Sequence, residues 1–393
     1  MINIRLYEKM DQQAWDNYVM HHPRGTIFHL TRWKKVIEKT FGHKSYYLIA
    51  VENTVSSMQY AVSRGQRSEI REQKATTSNQ PPSLQASQLP GLQASQPHSL
   101  LASQPKVTGI LPLFRIKSYF FGDYLISVPF AELGGILADD KKVERMLLDR
   151  AIEMAEEMKC DYLELRNREQ IENLPAKSLY YNFRREIFSD HDQNFKAIPR
   201  KARRMIHQGE KYGLISKFGK HLLPEFYGVM ARSFHSLGTP IFPIKLFRNF
   251  INIFSDNVEI LLIQNKEKIP IAGVLTFFFK DQMLPYYAGS LFEYRELAPN
   301  DFMYWALMSY GCEKGCEIFD FGRSKIDTGS YHFKRHWGFK PVQLSYQYHL
   351  VRAKELPNLS PANPKYRKKI DLWRKMPFKL TKILGPPIAQ YLA

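Results

Sequence analysis

Two stretches of this chain repeat one pattern, and the repeat limits the fold more than any other feature. Leu48-Ile49-Ala50 and Gly109-Ile110-Leu111-Pro112-Leu113-Phe114 match Leu262-Ile263-Gln264 and Gly273-Val274-Leu275-Thr276-Phe277-Phe278. The match emerges once residues 54–106 are cut out, because the offset between the copies shrinks there by close to that segment's own length. Further on, a helical pattern at Val143–Met158 leads into the apolar run Cys160–Arg166, and a second at Asp301–Glu313 leads into Cys316–Gly322. Each copy reads hairpin, loop, helix, strand. Strands interleaved with helices make an α/β (α+β) protein. Two such units also suit 393 residues, more than one typical domain. The expected organisation is residues 1–190, residues 191–352 and a tail, 353–393.

Within the first unit, Thr31 is placed to cap a helix running to Phe41, with Trp33, Val36, Ile37 and Phe41 at helical spacing. Ser45–Val51 is a β-branched and aromatic run ending in the turn signal Glu52-Asn53. Residues 54–106 are rich in Ser, Gln and Pro, and an octapeptide recurs in them as SLQASQLP, GLQASQPH and SLLASQPK. So few bulky apolar residues per repeat cannot bury a core, which predicts a disordered insertion without a catalytic role. It falls at a hairpin tip, where closure entropy rises only slowly with length.

Charge narrows the partners. Lys and Arg number 56 against 38 Asp and Glu, a net charge of +18, which favours a polyanion such as RNA, an anionic membrane surface or a diphosphate-bearing substrate. One concentration lies between the units, at Lys196–Lys220, read as a basic helix. Its Arg200, Lys201 and Arg204 are candidate phosphate or RNA contacts, with a solvated face as the plain alternative. Another is the tail after Asn363, basic and amphipathic, where lysines interleave with Leu372, Trp373, Phe378, Leu380, Ile383 and Leu384. It either lies on an anionic bilayer or packs on the core with its charges outward, the second being preferred. The three cysteines form no disulfide framework and no zinc set, and read as small buried residues of a reducing compartment. The N-terminus lacks the apolar region of a signal peptide, and no run reaches the roughly 18 apolar residues of a membrane span. A cytoplasmic protein, at most peripheral on the inner face of the membrane, is expected.

The chemistry concentrates at Cys316–Phe339, CEIFDFGRSKIDTGSYHFKRHWGF. An apolar strand gives way to a predicted polar loop carrying Arg323, Ser324, Lys325, Gly329, Tyr331 and Lys334, closed by Phe333, Trp337 and Phe339. Apolar walls with a few convergent polar groups are what a pocket needs; a basic hairpin that merely packs is the alternative. Asp320-Phe321-Gly322 spells the metal-binding triplet of protein kinases, but neither a Gly-rich loop nor an H-R-D loop precedes it. His332 and His336 have no acidic partner at ligand spacing, so no metal is expected. In the first unit, Pro129, Phe130, Gly134 and Gly135 are candidates for an acceptor groove, the glycines allowing close backbone approach.

These segments resemble the FemAB-type family, and in particular its branch associated with exosortase/PEP-CTERM gene clusters. The resemblance rests on FDFGRSKIDTGSYHFKRHWGF at 319–339, QLSYQYHL at 343–350, IPRKARRMIHQGEKYGL at 198–214, SVPFAELGG at 127–135 and NPKYRKKIDLWRKMPFKLTKILGPPIA at 363–389. It covers nearly all of the chain outside the insertion. It implies two tandem GNAT-like acyltransferase units. It also implies transfer of an amino acid from aminoacyl-tRNA to an amine on a peptidoglycan precursor, as in the wider family, with the exosortase branch tied to exopolysaccharide and surface-protein processing. Lys334 in the FK string matches the family lysine thought to steady the acyl ester or its oxyanion. Arg323 and Lys325 are then suited to a phosphate, Tyr331 to proton relay, and Asp320 to acting as base or amine orienter, unless it simply pairs with Arg323. Ser324, Gly329 and Trp337 join the substrate-binding set. No cofactor is implied, only a co-substrate, aminoacyl-tRNA or acyl-CoA. The nearest string to the acyl-CoA loop, Arg335-His-Trp-Gly338-Phe-Lys340, ends in Lys and lies beyond the repeat's helix, which favours the first donor. An acyl-CoA-dependent N-acetyltransferase and a non-catalytic RNA- or membrane-binding protein are the competing readings.

Overall fold

The computed structural model describes residues 1–52, 106–119, 121–357 and 364–392, so the insertion expected at 54–106 lies outside the described residues apart from Lys106. Its flanks do form the expected hairpin: Leu48–Glu52 pairs antiparallel with Lys106–Leu111, and Glu52 stands opposite Lys106. The expected single arms are each broken, however. Lys44–Ser45 and Phe114–Ser118 pair in a different sheet from Leu48–Glu52 and Lys106–Leu111. The crossing occurs at Pro112, whose missing N–H cannot extend a ladder.

With one exception in each unit, the described strands of the first unit fill a four-stranded and a six-stranded sheet, and those of the second a seven-stranded sheet. The duplication holds at the level of elements. Val258–Gln264 pairs with Pro270–Phe279 as the second hairpin, with Leu262 opposite Gly273 where the first has Ala50 opposite Gly109. The two registers thus differ by two residues from the sequence match, an even step that keeps each side chain on its face. The helix Lys141–Glu157 precedes the strand Tyr162–Asn167, and Pro299–Glu313 precedes Ile318–Lys325.

A cut at 190 does not divide the sheets. Tyr180–Glu186 lies in the seven-stranded sheet between Ile318–Lys325 and Pro341–Gln343, while Ser345–Leu350 lies in the six-stranded sheet between Tyr162–Asn167 and Ala176–Lys177. Each unit lends the other a strand. The cores merge as well. Trp33, fully buried on the helix Thr31–Phe41, packs against Phe28 of its own unit and against Phe250, Phe277 and Tyr286 of the other. Thr31 does not cap that helix. Leu30 holds the cap position, and the Thr31 hydroxyl donates to Asp16 instead.

The basic run at 196–220 is not one helix. His191–Ala197 ends before Pro199, Arg200–Lys211 follows, and Lys217 sits in the strand Ile215–Phe218. The tail forms two helices, Pro364–Lys375 and Phe378–Ala389, packed on Leu223–Leu237, with Trp373 and Thr381 buried.

Candidate active site

In each unit a parallel pair of strands starts together and then parts. Gln282 and Met283 pair with Ile318 and Phe319, and no pairing follows; Tyr124–Ile126 pairs with Tyr162–Glu164. The segment Pro129–Gly135 of the first unit spans the second unit's opening. Tyr286 Oη, on one side, donates to the Phe130 carbonyl at 2.9 Å, and the Arg323 amide, on the other, donates to Glu132 Oε2 at 2.5 Å. Tyr346 Oη, on a lent strand, donates to the Glu132 carbonyl. Val128 and Phe130 take positive φ, 59° and 58°, where β-branched and bulky side chains are strained.

A bulge aims the facing strand. Asn182 pairs with Arg323 and Arg184 with Asp320, so Phe321 and Gly322 stand opposite Phe183 alone. Gly322 has φ +68°, and a Cβ there would stand 3.0 Å from Glu132 Oε2; only glycine lets the carboxyl approach this backbone. Asp320 Oδ1 accepts from Asn182 Nδ2 and from the Gly322 amide, both at 2.9 Å. The Arg323 guanidinium bonds to Tyr346 Oη at 2.8 Å and lies over the Tyr180 and Tyr346 rings. Lys334, on the helix Gly329–His336, donates to the Gly322 carbonyl at 2.9 Å and the Arg323 carbonyl at 3.1 Å. Its ammonium therefore has one N–H beyond these two bonds.

Burial sets the electrostatics. Glu132 is 1% exposed and Lys334 8%. Desolvation, then the nearby Asp320 charge, lift the Glu132 carboxyl to about 7, against the pull of Lys334 and Arg323. Desolvation lowers Lys334 to about 8, against the pull of Glu132 and Asp320. Arg323 stays charged: the burial penalty is outweighed by Tyr346, Tyr180 and Tyr286. An acid raised and a base lowered beside one another near neutral pH are equipped for proton transfer and for stabilising developing charge.

Glu132 and Asp320 also line a cleft between the units, with Thr26, Leu133, Arg168 and Leu284. It continues into a depression of about 380 Å³ of open volume bordered by Arg24, His29, Gly134, Gly135 and Asn167, the two sharing Thr26, Leu133 and Arg168. His29 is buried, its ring bridging Thr26 and the Gly135 carbonyl, and desolvation lowers it to about 3, so it stays neutral.

Residues 194–335 match the family model for the acetyltransferase (GNAT) domain. The Lipid II:glycine glycyltransferase of Staphylococcus epidermidis is 32% identical over 120 residues, a match covering 26% of this chain and 29% of that protein. The crystal structure of FemX superposes with a TM-score of 0.58 at 14% identity, covering 93% of this chain and 99% of that one. A tandem GNAT protein from the clavulanic acid biosynthesis pathway gives 0.51 at 9% identity, covering 90% and 100%. Residues 194–335 are a GNAT acyltransferase domain, and the chain as a whole has a tandem GNAT fold. Its tandem fold is thus the one the resemblance implied.

In this tandem GNAT chain the residues singled out from sequence fall into separate groups. Asp320 and the Arg323 backbone meet Lys334 at the junction, and Gly134 and Gly135 border the adjoining depression. Pro129 and Phe130 lie inside the junction, where their carbonyls accept from Trp33 Nε1 and Tyr286 Oη. The glycine pair approaches the protein itself: the Gly134 and Gly135 amides donate to the Arg166 carbonyl, and a Cβ at Gly135 would overlap Asn167 Oδ1. The expected polar loop is half strand and half helix, because Ile318–Lys325 runs on past Gly322 and Thr328 caps Gly329–His336, accepting from the Tyr331 amide. The expected aromatic wall is core: Trp337 is fully buried against Phe321, Phe333 and Tyr304, and donates to Asp301 Oδ1 at 2.9 Å. Tyr331 packs edge-on to Phe183 and Tyr181. Ser324 is buried and Gly329 exposed. Lys325 is half-buried, and desolvation, then Arg323 and Lys177, lower it to about 8. Asp320 does not pair with the Arg323 side chain, whose hydrogen bond goes to Tyr346. Arg200, Lys201 and Arg204 are exposed on their helix, which packs on Pro299–Glu313. Sequence reading missed Glu132, although it is the lone acid inside the apolar and glycine-rich run SVPFAELGG. Asn182 had no signal, and Tyr346 lies in the quoted string QLSYQYHL without being singled out; each reaches the site on a lent strand.

Proposed function

We propose that this protein is an acyltransferase that moves an aminoacyl group from aminoacyl-tRNA to an amine on a lipid-linked cell-envelope or exopolysaccharide-related precursor, without a resident cofactor. The observation that carries the chemistry is the buried apposition of Glu132 and Lys334 around one backbone segment, their pKa values pushed towards neutrality from opposite sides. In this reading the acceptor amine attacks the ester carbonyl of the donor. Glu132, ionised, takes the amine proton. Lys334 directs its remaining N–H at the oxyanion, where a fixed positive charge in a dry site is most effective. A C–N bond forms, the ester C–O bond breaks, and the ribose oxygen leaves with a proton returned by Glu132. Asp320 biases Glu132 upward and Arg323 holds the junction through Tyr346. The glycyltransferase named above supports a lipid-linked acceptor class, and such an acceptor is presented at the inner face of the membrane.

Two helix N-termini support aminoacyl-tRNA over acyl-CoA. A helix start that follows a parted strand is a ready anion site, but here each carries its own carboxylate. Asp140 caps Lys141–Glu157 by accepting from the Val143 amide at 2.8 Å. Pro299–Glu313 begins with a proline that has no N–H and has Asp301 in its first turn. Arg200, Lys201 and Arg204 are the proposed tRNA phosphate contacts.

The test pairs charged with uncharged tRNA, and both with acetyl-CoA, on the purified protein over a salt series. Retention of charged tRNA, lost with salt, followed by amide formation that Lys334→Met abolishes, is expected. Binding of acetyl-CoA alone would overturn the donor assignment, and undiminished transfer by Lys334→Met would overturn the mechanism.

A further inference from the structure

The last helix, Phe378–Ala389, has two apolar faces and only one of them is covered. Thr381, Gly385 and Ala389, four apart, are buried. The Thr381 hydroxyl and His235 Nδ1 are 3.0 Å apart, and a Cβ at Gly385 would press on Ile241. On the opposite side Leu380, Ile383 and Leu384 are 42%, 70% and 40% exposed, and Pro387 prolongs that stripe. Apolar side chains at i, i+3, i+4 and i+7 form one helical face, and here that face meets solvent.

Charge selects what covers it. From residue 364 to 389 the tail carries eight Lys or Arg and a single acid, Asp371. Exposed Lys379 and Lys382 flank the stripe on its own helix. A second copy of this chain would set one such cluster against another, whereas an anionic surface complements it. The rim adds aromatics. Tyr391, just past the helix, stacks on Phe121 at 6.4 Å, in the turn between the strands Phe114–Ser118 and Gly122–Ile126. Tyr119 in the same turn is 97% exposed, and Tyr rings suit a boundary that is apolar at one end and wet at the other. Among the described residues no helix is long and apolar enough to cross a membrane, and a 12-residue helix is about 18 Å long, which suits lying flat.

We propose that the helix Phe378–Ala389, with the adjoining Tyr119 and Phe121, forms a docking face for an anionic lipid bilayer. The Leu380–Ile383–Leu384 stripe enters the headgroup–acyl boundary, and the lysines extend to the phosphates. This assignment stands apart from the acyl-transfer reading, since it needs neither donor nor acceptor.

Flotation of the full-length protein with phosphatidylglycerol-containing vesicles, and with phosphatidylcholine vesicles alone, tests it, with mass in solution measured alongside. Binding to the anionic vesicles is expected. It should weaken at least tenfold in the Leu380→Gln, Ile383→Gln, Leu384→Gln triple variant at an unchanged melting temperature, and similarly in Lys379→Glu, Lys382→Glu. Three results would overturn the proposal: no vesicle binding by the parent protein, binding that the triple variant retains, or a parent dimer that the triple variant dissolves, which would give the face to a second copy.

Discussion

Glu132→Gln isolates one charge at the junction and changes almost nothing else. Glutamine keeps an oxygen for the Arg323 amide and the volume beside Gly322. What disappears is a negative charge lying across one residue's backbone from the Lys334 ammonium, since Glu132 binds the Arg323 amide and Lys334 the Arg323 carbonyl. Unit charges roughly 5 Å apart interact by about 3 kcal/mol at an effective dielectric constant of about 20. At about 1.4 kcal/mol per unit, Lys334 should fall about two units below its wild-type value of about 8. At pH 7 it would change from about nine-tenths protonated to about one-tenth. The side-chain titration of Lys334, followed by NMR on lysine labelled at Cε, reads this directly and requires no substrate. In turnover, whatever activity survives loss of the base should recover as pH drops below about 6. A Lys334 titration that moves by less than about half a unit, or upward, would refute the coupling from which the site is argued.

The same carboxyl sets a stability window. Its folded-state value lies above the ordinary 4.5, so its contribution is full below 4.5 and is lost as pH rises through about 7. Relative to Glu132→Gln, the wild-type protein should therefore lose up to about 3 kcal/mol between those limits, measured by urea unfolding across pH. Gly322→Ala forces a side chain into φ +68° and towards Glu132; a cost of at least about 1–2 kcal/mol is expected from the backbone alone, with Lys334 titrating abnormally as well. Trp33→Ala empties a site shared by both units and should cost about 3–5 kcal/mol while keeping one unfolding transition, because the core is continuous. Deleting residues 56–105 should leave the melting temperature nearly unchanged, and a large drop by calorimetry would contradict the reading of that segment as an insertion.

Local patterns in the sequence carried the hairpins and the helix–strand repeats, because apolar periodicity and turn residues act over a few positions; the role of Lys334 entered only through the family resemblance. What stayed hidden was long-range. Nothing in the YYNFRRE of Tyr180–Glu186 says that it pairs with Ile318–Lys325 rather than with its own unit. The role of Glu132 depends on a bulge at Gly322, 190 residues away. The expected aromatic wall is core for a related reason: Phe333, Trp337 and Phe339 look like pocket linings beside so many donors, but Trp337 and Phe339 are buried against Phe321. For the tail the sequence leaves packed and lipid-facing as alternatives, and the structure shows the packed side, with Trp373 and Thr381 buried.

The reciprocal loan of strands has a historical reading. A gene made by copying one unit and fusing the copies would at first have encoded two self-contained sheets, separable by any recombination between them. With Tyr180–Glu186 and Ser345–Leu350 each seated in the other unit's sheet, a breakpoint near residue 190 strands one edge in each product. The two copies are thereby bound to be inherited together, and Tyr346 and Asn182 reach the junction only because of the crossing.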